Sequence, residues 1–227
     1  MRNEIRSYQK TRHMTHDVQH PVPDALLMGY ATGALPQAFD LVLATHVSLC
    51  DDARARLETF EAIGGAVLED MDVADIAEDS LDRTLALMDG MQPVAPPAPS
   101  SGTFPTPLQA IVGGDEDAVR WRSLGGGVKQ SVLQSDKYGT ARLLLIPAGR
   151  AMPPHSHRGT EMTLVLKGAF RDEDGVFARG DLEVADAAVN HQPIAEAGED
   201  CICLVATDAR LRFQSLLPRI AQPFLGI

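Results

Sequence analysis

Apolar residues recur at intervals of three and four through the first third of the chain, which places them on one face of an α-helix. The clearest run comprises Leu41, Val42, Thr45, His46, Leu49 and Cys50. Similar spacing predicts helices over residues 25–31, with Asp24 as the N-terminal cap, and over 57–67 and 81–88. We therefore predict a small all-helical domain, whose apolar faces need completion by a partner or a metal because it is too short to be robust alone.

Beyond residue 118 the pattern changes to short alternating runs separated by turn residues. These runs predict strands over residues 119–124, 128–134, 141–146, 162–166, 169–172, 181–184, 200–207 and 211–214. Many short strands with regular turns are typical of a sandwich or a jelly-roll β-barrel. The chain is thus predicted to be a two-domain α+β protein, with a helical domain followed by a barrel.

Prolines and small residues fill the stretch between the two patterns. The prolines are Pro93, Pro96, Pro97, Pro99, Pro105 and Pro107. Such a composition holds neither a helix nor a central strand, and it predicts a semi-extended linker over residues 91–107. We accordingly predict a helical domain over 1–90, in which residues 1–19 are flexible, and a second domain over 108–227.

A cluster of histidines opens one of the predicted strands. In an extended chain His155 and His157 point to the same face, and Glu161 follows after a turn signal. Together with Gly149 and Gly168, these residues fill every position of the first cupin motif, which is Gly, five residues, His-x-His, three or four residues, Glu, six residues, Gly. Imidazoles with a carboxylate suit zinc, with iron, manganese or nickel as alternatives.

A fourth ligand has to come from a distant strand. His191 is the remaining histidine in this half of the chain and is the predicted ligand. Its surroundings depart from the second cupin motif, because the expected Pro-x-Gly and the following Asn are missing. Three histidines and one glutamate usually leave open positions on the metal, so catalysis is chemically accessible, but no substrate is indicated.

A second group of metal-binding residue types lies in the helical part. His46 and Cys50 are four residues apart and would share a face of a helix. His20, or alternatively His13 or His16, would supply another nitrogen. The competing interpretation is that Cys50 is a small hydrophobic residue on an apolar face.

The other two cysteines flank Ile202 in a predicted strand. Alternation puts Cys201 and Cys203 on one face, where we favour two small core residues over a redox-responsive pair. Three unevenly spaced cysteines do not make a disulfide framework.

The formal net charge of -11 is concentrated in residues 51–89. This acidity opposes nucleic-acid binding and favours either a basic protein partner or a solvated acidic face. No apolar run approaches the roughly 20 residues needed to span a bilayer, and the polar N-terminus lacks the apolar stretch of a signal peptide. We expect a cytoplasmic protein that does not contact the membrane.

Five stretches, at residues 24–31, 44–56, 119–128, 155–173 and 200–208, resemble the ChrR-type anti-sigma factors. The resemblance implies a helical domain that sequesters an extracytoplasmic-function sigma factor. It also implies a zinc-binding cupin domain that is required for release of the sigma factor in response to singlet oxygen and related oxidants. By position, His155, His157, Glu161 and His191 match the cupin metal ligands of the family.

The helical zinc motif of the family, His-x3-Cys-x2-Cys, is incomplete in this chain. His46 and Cys50 match its first two positions, but Ala53 stands at the third and has no ligand atom. The upstream histidine is also displaced, since Pro21 occupies its place and His20 is one residue away. Loss of a thiolate severely weakens a tetrahedral zinc site, so we predict that the helical domain folds without zinc.

The leading hypothesis is a regulatory anti-sigma factor with no catalytic residues. The alternative is a metal-dependent, dioxygenase-like cupin enzyme with a helical oligomerisation module, and a metal-storage protein is a third. The helical half discriminates between the first two, because a simple cupin enzyme does not need one with this motif.

Overall fold

Five α-helices precede the strands in the part of the chain that the computed structural model describes, namely residues 18–91, 102–209 and the backbone of 212–213. They are Asp24–Ala31 (α1), Gln37–Leu49 (α2), Asp51–Glu69 (α3), Ser80–Asp89 (α4) and Thr106–Val112 (α5), followed by a 3-10 turn at Glu116–Ala118. The predicted helical pattern is confirmed. His13, His16, nearly all of the segment predicted to be flexible and most of the predicted linker lie outside the described residues.

The start of α1 differs from the prediction. Asp24 is the first helical residue, and the extended Pro23 precedes it without a side-chain cap. Proline has no side-chain acceptor, so the residue before α1 cannot cap the N–H groups of its first turn. The Asp24 carboxylate instead pairs with Arg56 of α3, which also donates to the carbonyl of Val22.

Helix α5 corrects the expectation that residues 91–107 hold no helix. The helix begins at Thr106, and Pro107 lies in its first turn, where the missing N–H has no intrahelical partner to lose. Gly113 ends the helix with a φ of 83°. Leu108 is fully buried and anchors α5 in the core.

The strands are β1 (Arg122–Gly125), β2 (Val128–Ser135), β3 (Thr140–Ile146), β4 (His155–Ser156), β5 (Glu161–Lys167), β6 (Ala169–Arg171), β7 (Val176–Ala178), β8 (Leu182–Ala185), β9 (Asn190–His191), β10 (Ile194–Ala195), β11 (Cys201–Thr207) and β12 (Arg212–Phe213). A six-stranded antiparallel sheet has the order β1-β2-β3-β11-β5-β8. Two three-stranded sheets have the orders β10-β6-β7 and β12-β4-β9. The described strands form separate sheets and do not close into one continuous barrel.

Alternation along the central strands builds two apolar cores. On β11, Ile202, Leu204 and Ala206 face one core, whereas Cys201 and Cys203 face the other. Both faces are covered, which explains why this strand is a continuous apolar run.

The first core joins the helical and β-rich parts of the chain. Helix α2 packs against β3, β5 and β11, and its residues Val42 and Leu43 share a buried cluster with Leu143 and Leu204. The six-stranded sheet therefore covers the apolar face of α2.

Candidate metal centre

The candidate metal centre lies at one end of the β-domain, where short strands meet. Strand β4 pairs with β9 in a register that sets His155 opposite His191. His157 follows two residues later, and Glu161 is the first residue of β5. All four side chains are buried, and their ligand atoms lie within 4.8 Å of one another. The structure thus brings together the four residues that the sequence pointed to.

The glycine that ends the motif has a steric role. Gly168 has a φ of 66°, and a Cβ at this position would lie 2.7 Å from the carbonyl oxygen of Asp200. A side chain would push apart the β5–β6 turn and the start of β11. Glycine at this position therefore lets β5, with Glu161 at its far end, pack closely beside β11.

The hydrogen bonds around the imidazoles fit a bound cation. His155 Nδ1 lies 2.9 Å from the carbonyl oxygen of Pro153, and His191 Nδ1 lies 2.9 Å from Asp172 Oδ2. Donation to these oxygens leaves the Nε2 lone pairs free. The Nε2 atom of His191 lies 3.2 Å from that of His155 and 3.3 Å from that of His157. One proton can bridge only one of these pairs, whereas a metal ion coordinates all three nitrogens, so this buried group can bind a metal.

The pKa values of two of the histidines favour metal binding near neutral pH. Burial lowers the pKa of His155 and His157 to about 4, which keeps both imidazoles neutral. Burial raises the pKa of Glu161 to about 7. A neutral imidazole is the form that binds metals, and a nearby cation would return Glu161 to its charged form.

Two acidic residues near His191 have no counterpart in the sequence analysis. Asp172 follows β6 and Glu183 belongs to β8, and both lie within 2.9 Å of His191 Nδ1. Burial alone would lower the pKa of His191, but these carboxyl groups raise it to about 9. No motif marks either residue. The only sequence signal is that an acidic side chain interrupts an otherwise apolar strand at Glu183.

The helical residues proposed as ligands are engaged elsewhere. The His20 ring packs on Phe177, with 4.2 Å between ring centroids, and His46 Nδ1 lies 3.0 Å from the carbonyl oxygen of Gly180. Within residues 18–91 and 102–209, the groups arranged to hold a metal do not include His20, His46 or Cys50.

Cys50 is also placed differently from the prediction. It lies between α2 and α3 with an extended backbone, and its Sγ accepts a bond from the Ala53 N–H at 3.4 Å. Its thiol therefore acts as the N-terminal cap of α3 and does not share a helical face with His46. The three-and-four spacing predicted the face correctly but not the end of the helix.

We expect Cys50→Ser to leave the metal content of the full chain unchanged, because a serine hydroxyl caps a helix at least as well as a thiol. The free energy of unfolding should change by less than about 1 kcal/mol. Metal analysis of the purified variant and chemical denaturation measure the two quantities. Loss of a bound metal would show that the helical part holds one.

The buried imidazole of His46 should make stability depend on pH. Burial lowers the pKa of His46 in the folded chain, so the unfolded chain takes up a proton first as the pH falls through about 6.5. The stabilisation is complete above that pH and is lost below it. We expect His46→Gln, which keeps a donor for Gly180 but does not titrate, to show a smaller loss of stability between about pH 7.5 and 5.5. Denaturation curves at several pH values measure this, and identical slopes for the two chains would contradict it.

A helical segment docked on a β-domain with a buried three-histidine, one-glutamate group defines the class: a cupin-type protein with a helical extension and a group that could bind a metal. A family model described as the ChrR cupin-like domain matches residues 109–210. The chain is 50% identical over 211 residues to the anti-sigma-E factor ChrR of Cereibacter sphaeroides, across 92% of this chain and 99% of that protein. The chain belongs to the ChrR family of anti-sigma factors.

A solved structure agrees with this assignment. The crystal structure of Rhodobacter sphaeroides SigE in complex with the anti-sigma factor ChrR contains a chain that matches with a TM-score of 0.76 and 48% identity. The match covers 84% of this chain and 99% of that one. The predicted fold, helices followed by a cupin domain, is confirmed. Among the described residues, no helix has the length and apolar character needed to cross a membrane.

Proposed function

We propose that this chain is a cytoplasmic anti-sigma factor that sequesters an extracytoplasmic-function sigma factor through its helical part. The observation that carries the proposal is an apolar surface left uncovered on the second half of α3, on α4 and on the loop between them, which we call the α3–α4 surface. Its exposed residues are Ile63, Val67, Leu68, Met71, Val73, Ile76, Leu81, Leu85, Leu87, Met88 and Met91.

The α3–α4 surface has the properties of a binding site rather than of an ordinary protein surface. No residue of α4 is buried, and isolated helices of this length are marginal in water. Leu81, Leu85 and Met88 lie three or four positions apart and form one apolar stripe along α4. So many exposed large apolar residues within one stretch of the chain mark a protein interaction site, which a partner would cover.

Charge supports a protein partner with basic character. Acidic residues are interspersed with the apolar residues along this part of the sequence. Residues 51–89 carry most of the excess negative charge of the chain. Such a surface repels nucleic acid and attracts a complementary basic surface. A sigma factor, whose DNA-contacting faces are basic, has that charge, and the related ChrR chain was crystallised with one.

The cupin centre is proposed to hold zinc and to take part in sensing an oxidant such as singlet oxygen. Three imidazoles and a carboxylate suit zinc, with iron, manganese or nickel as alternatives. Cys201 and Cys203 are candidates for a redox step, because their Sγ atoms lie 3.5 Å apart in the core beside the metal centre. However, the hydrogen bond between the two thiols and burial raise the pKa of Cys203, so the folded chain keeps that thiol protonated and unreactive.

The second candidate function is a metal-dependent enzyme with the helices as an oligomerisation module. The same four ligands would serve it, since they leave coordination positions open. The relationship to a regulatory protein and the α3–α4 surface both favour the anti-sigma function. Turnover of a small diketone or thiol by the metal-loaded chain would support the enzyme instead.

The direct test is competition with RNA polymerase. Purified full-length chain is added to core polymerase and the sigma factor encoded nearest to its gene, and transcription from a promoter for that sigma factor is measured. We expect transcription to fall as the chain approaches equimolarity with the sigma factor. Undiminished transcription at a large excess of the chain would overturn the proposal.

A further inference from the structure

Asp181, just before β8, and Leu182, its first residue, hold the N-terminal segment against the β-domain. The carboxylate of Asp181 accepts bonds from the N–H groups of Gln19, at 2.6 Å, and His20, at 2.9 Å. The N–H of Leu182 donates to the carbonyl of His20 at 3.0 Å. Strand β8 is an edge of the six-stranded sheet, and the N-terminal segment pairs with that edge.

Gly180, directly before Asp181, also holds helix α2. His46 lies fully buried on α2, and its Nδ1 donates to the carbonyl of Gly180 at 3.0 Å. Burial lowers the pKa of this imidazole and keeps it neutral, with its proton on Nδ1. A residue that occupies the first position of the incomplete zinc motif therefore connects the helical part to the β-domain by a direct hydrogen bond.

The next residue along β8 contacts the metal centre. Glu183 is buried, and its Oε1 lies 2.8 Å from Nδ1 of His191. Asp172 Oδ2 accepts the hydrogen bond from the same nitrogen at 2.9 Å, and the Glu183 carboxyl group lies beside it, so both restrict the orientation of the ring. This arrangement aims Nε2 of His191 at the other histidines. Carboxylate partners of this kind orient a histidine ligand and strengthen metal binding.

We propose that strand β8 couples the metal centre to the docking of the helical part, with Glu183 as a positioning residue for His191. A shift of Glu183 moves the three residues before it along the backbone. Gly180 is the one that contacts His46, and Asp181 and Leu182 are the ones that contact residues 19–20. The proposal rests on the proposed function, since it says how the state of the cupin centre reaches the helices. Linkage then requires that docking strengthens metal binding by the same factor as metal binding strengthens docking.

The experiment uses the purified full-length chain without any sigma factor, so its outcome does not depend on sigma binding. Zinc affinity is measured by competition with a chromogenic chelator, and amide hydrogen exchange is measured with and without zinc. We expect zinc to slow exchange of the Gln19, His20 and Leu182 amides about tenfold. Glu183→Gln should weaken zinc binding about 10- to 100-fold and abolish that slowing.

Asp181→Asn separates coupling from ligand chemistry, because Asp181 makes its contacts with backbone N–H groups and not with the metal-binding side chains. An asparagine oxygen cannot serve both the N-terminal segment and the Ala178 N–H. We expect zinc binding to weaken about 5-fold or more. Asp136→Asn is the matched control, since its carboxylate also accepts two backbone N–H groups, from Tyr138 and Gly139, and should leave zinc affinity unchanged.

A cobalt-substituted sample adds a readout that a general loss of stability would not move. If Glu183 positions His191, the visible absorption spectrum of bound Co²⁺ should shift in Glu183→Gln and stay unchanged in Asp136→Asn. The proposal is overturned if zinc affinity changes less than twofold in either Glu183→Gln or Asp181→Asn. It is equally overturned if zinc leaves exchange at residues 19, 20 and 182 unaltered. Asp181→Asn decides the question alone if Glu183→Gln does not fold.

Discussion

Replacing Leu85 with aspartate is expected to weaken sigma-factor binding by about 100-fold or more. Leu85 lies at the middle of the apolar stripe on α4 and is 48% exposed, so the substitution costs little in the free chain. In a complex the carboxylate would be buried against an apolar partner surface without a counter-charge, which is costly. Isothermal titration of the full-length variant with the sigma factor measures the change.

Ile111→Asp is the matched control for this variant. Ile111 also lies on a helix, α5, and is 52% exposed, but it is outside the α3–α4 surface. We expect its affinity for the sigma factor to stay within about twofold of the original. Equal weakening in both variants would indicate a general loss of structure, and no weakening in Leu85→Asp would place the binding site elsewhere.

The double variant His155→Ala, Glu161→Ala is expected to lose the cupin metal entirely. Two of four converging ligands are removed, and the remaining two histidines cannot hold a divalent ion tightly. Metal content measured by atomic emission should fall from about one ion per chain to nearly zero. Sigma-factor binding should remain, because the α3–α4 surface contains neither residue, while release by an oxidant should be lost.

A control with the same residue types tests the assignment of the ligands. His20→Ala, Glu199→Ala removes a histidine and a glutamate that lie outside the four-residue group. This variant should retain its metal. If the His155, Glu161 variant kept its metal while the control lost it, the metal would be bound in the helical part, and our assignment of the site would be wrong.

The residues of the candidate metal centre could be predicted from the sequence because most of them lie close together along the chain. His155, His157 and Glu161 fall within one short stretch whose spacing carries the information. His191 followed only by elimination, yet the structure sets it opposite His155 in the β4–β9 pair. The boundaries of the two domains, the roles of these four residues as metal ligands and the identity of the metal stay predictions.

The residues that surround the ligands could not be predicted in this way. Asp172 follows β6 and Glu183 lies on β8, in different sheets, and only the folded chain brings both to His191. The contact between His46 and Gly180 joins two residues that are far apart in the sequence, and it depends on how α2 packs on the sheet. Periodicity identifies a buried face but not what covers it.

Local geometry accounts for the two errors in the helical part. The apolar pattern of α2 continues through Cys50, but the backbone becomes extended there and the thiol caps α3. The prolines predict that no helix forms before residue 108. Pro107, however, lies in the first turn of α5, which is the one turn in which a helix tolerates proline. In both cases the sequence pattern was correct and the backbone conformation at a helix end decided the outcome.

In the proposed function, the helical part of this chain binds a sigma factor while the cupin centre separately holds the metal. Co-expression of the full-length chain with the sigma factor encoded nearest to its gene, followed by size exclusion with metal analysis of the same peak, tests it most directly. We predict one peak with equimolar proteins and about one metal ion per complex. Separate elution of the two proteins, with metal retained by this chain alone, would contradict the account and favour a metal-dependent enzyme.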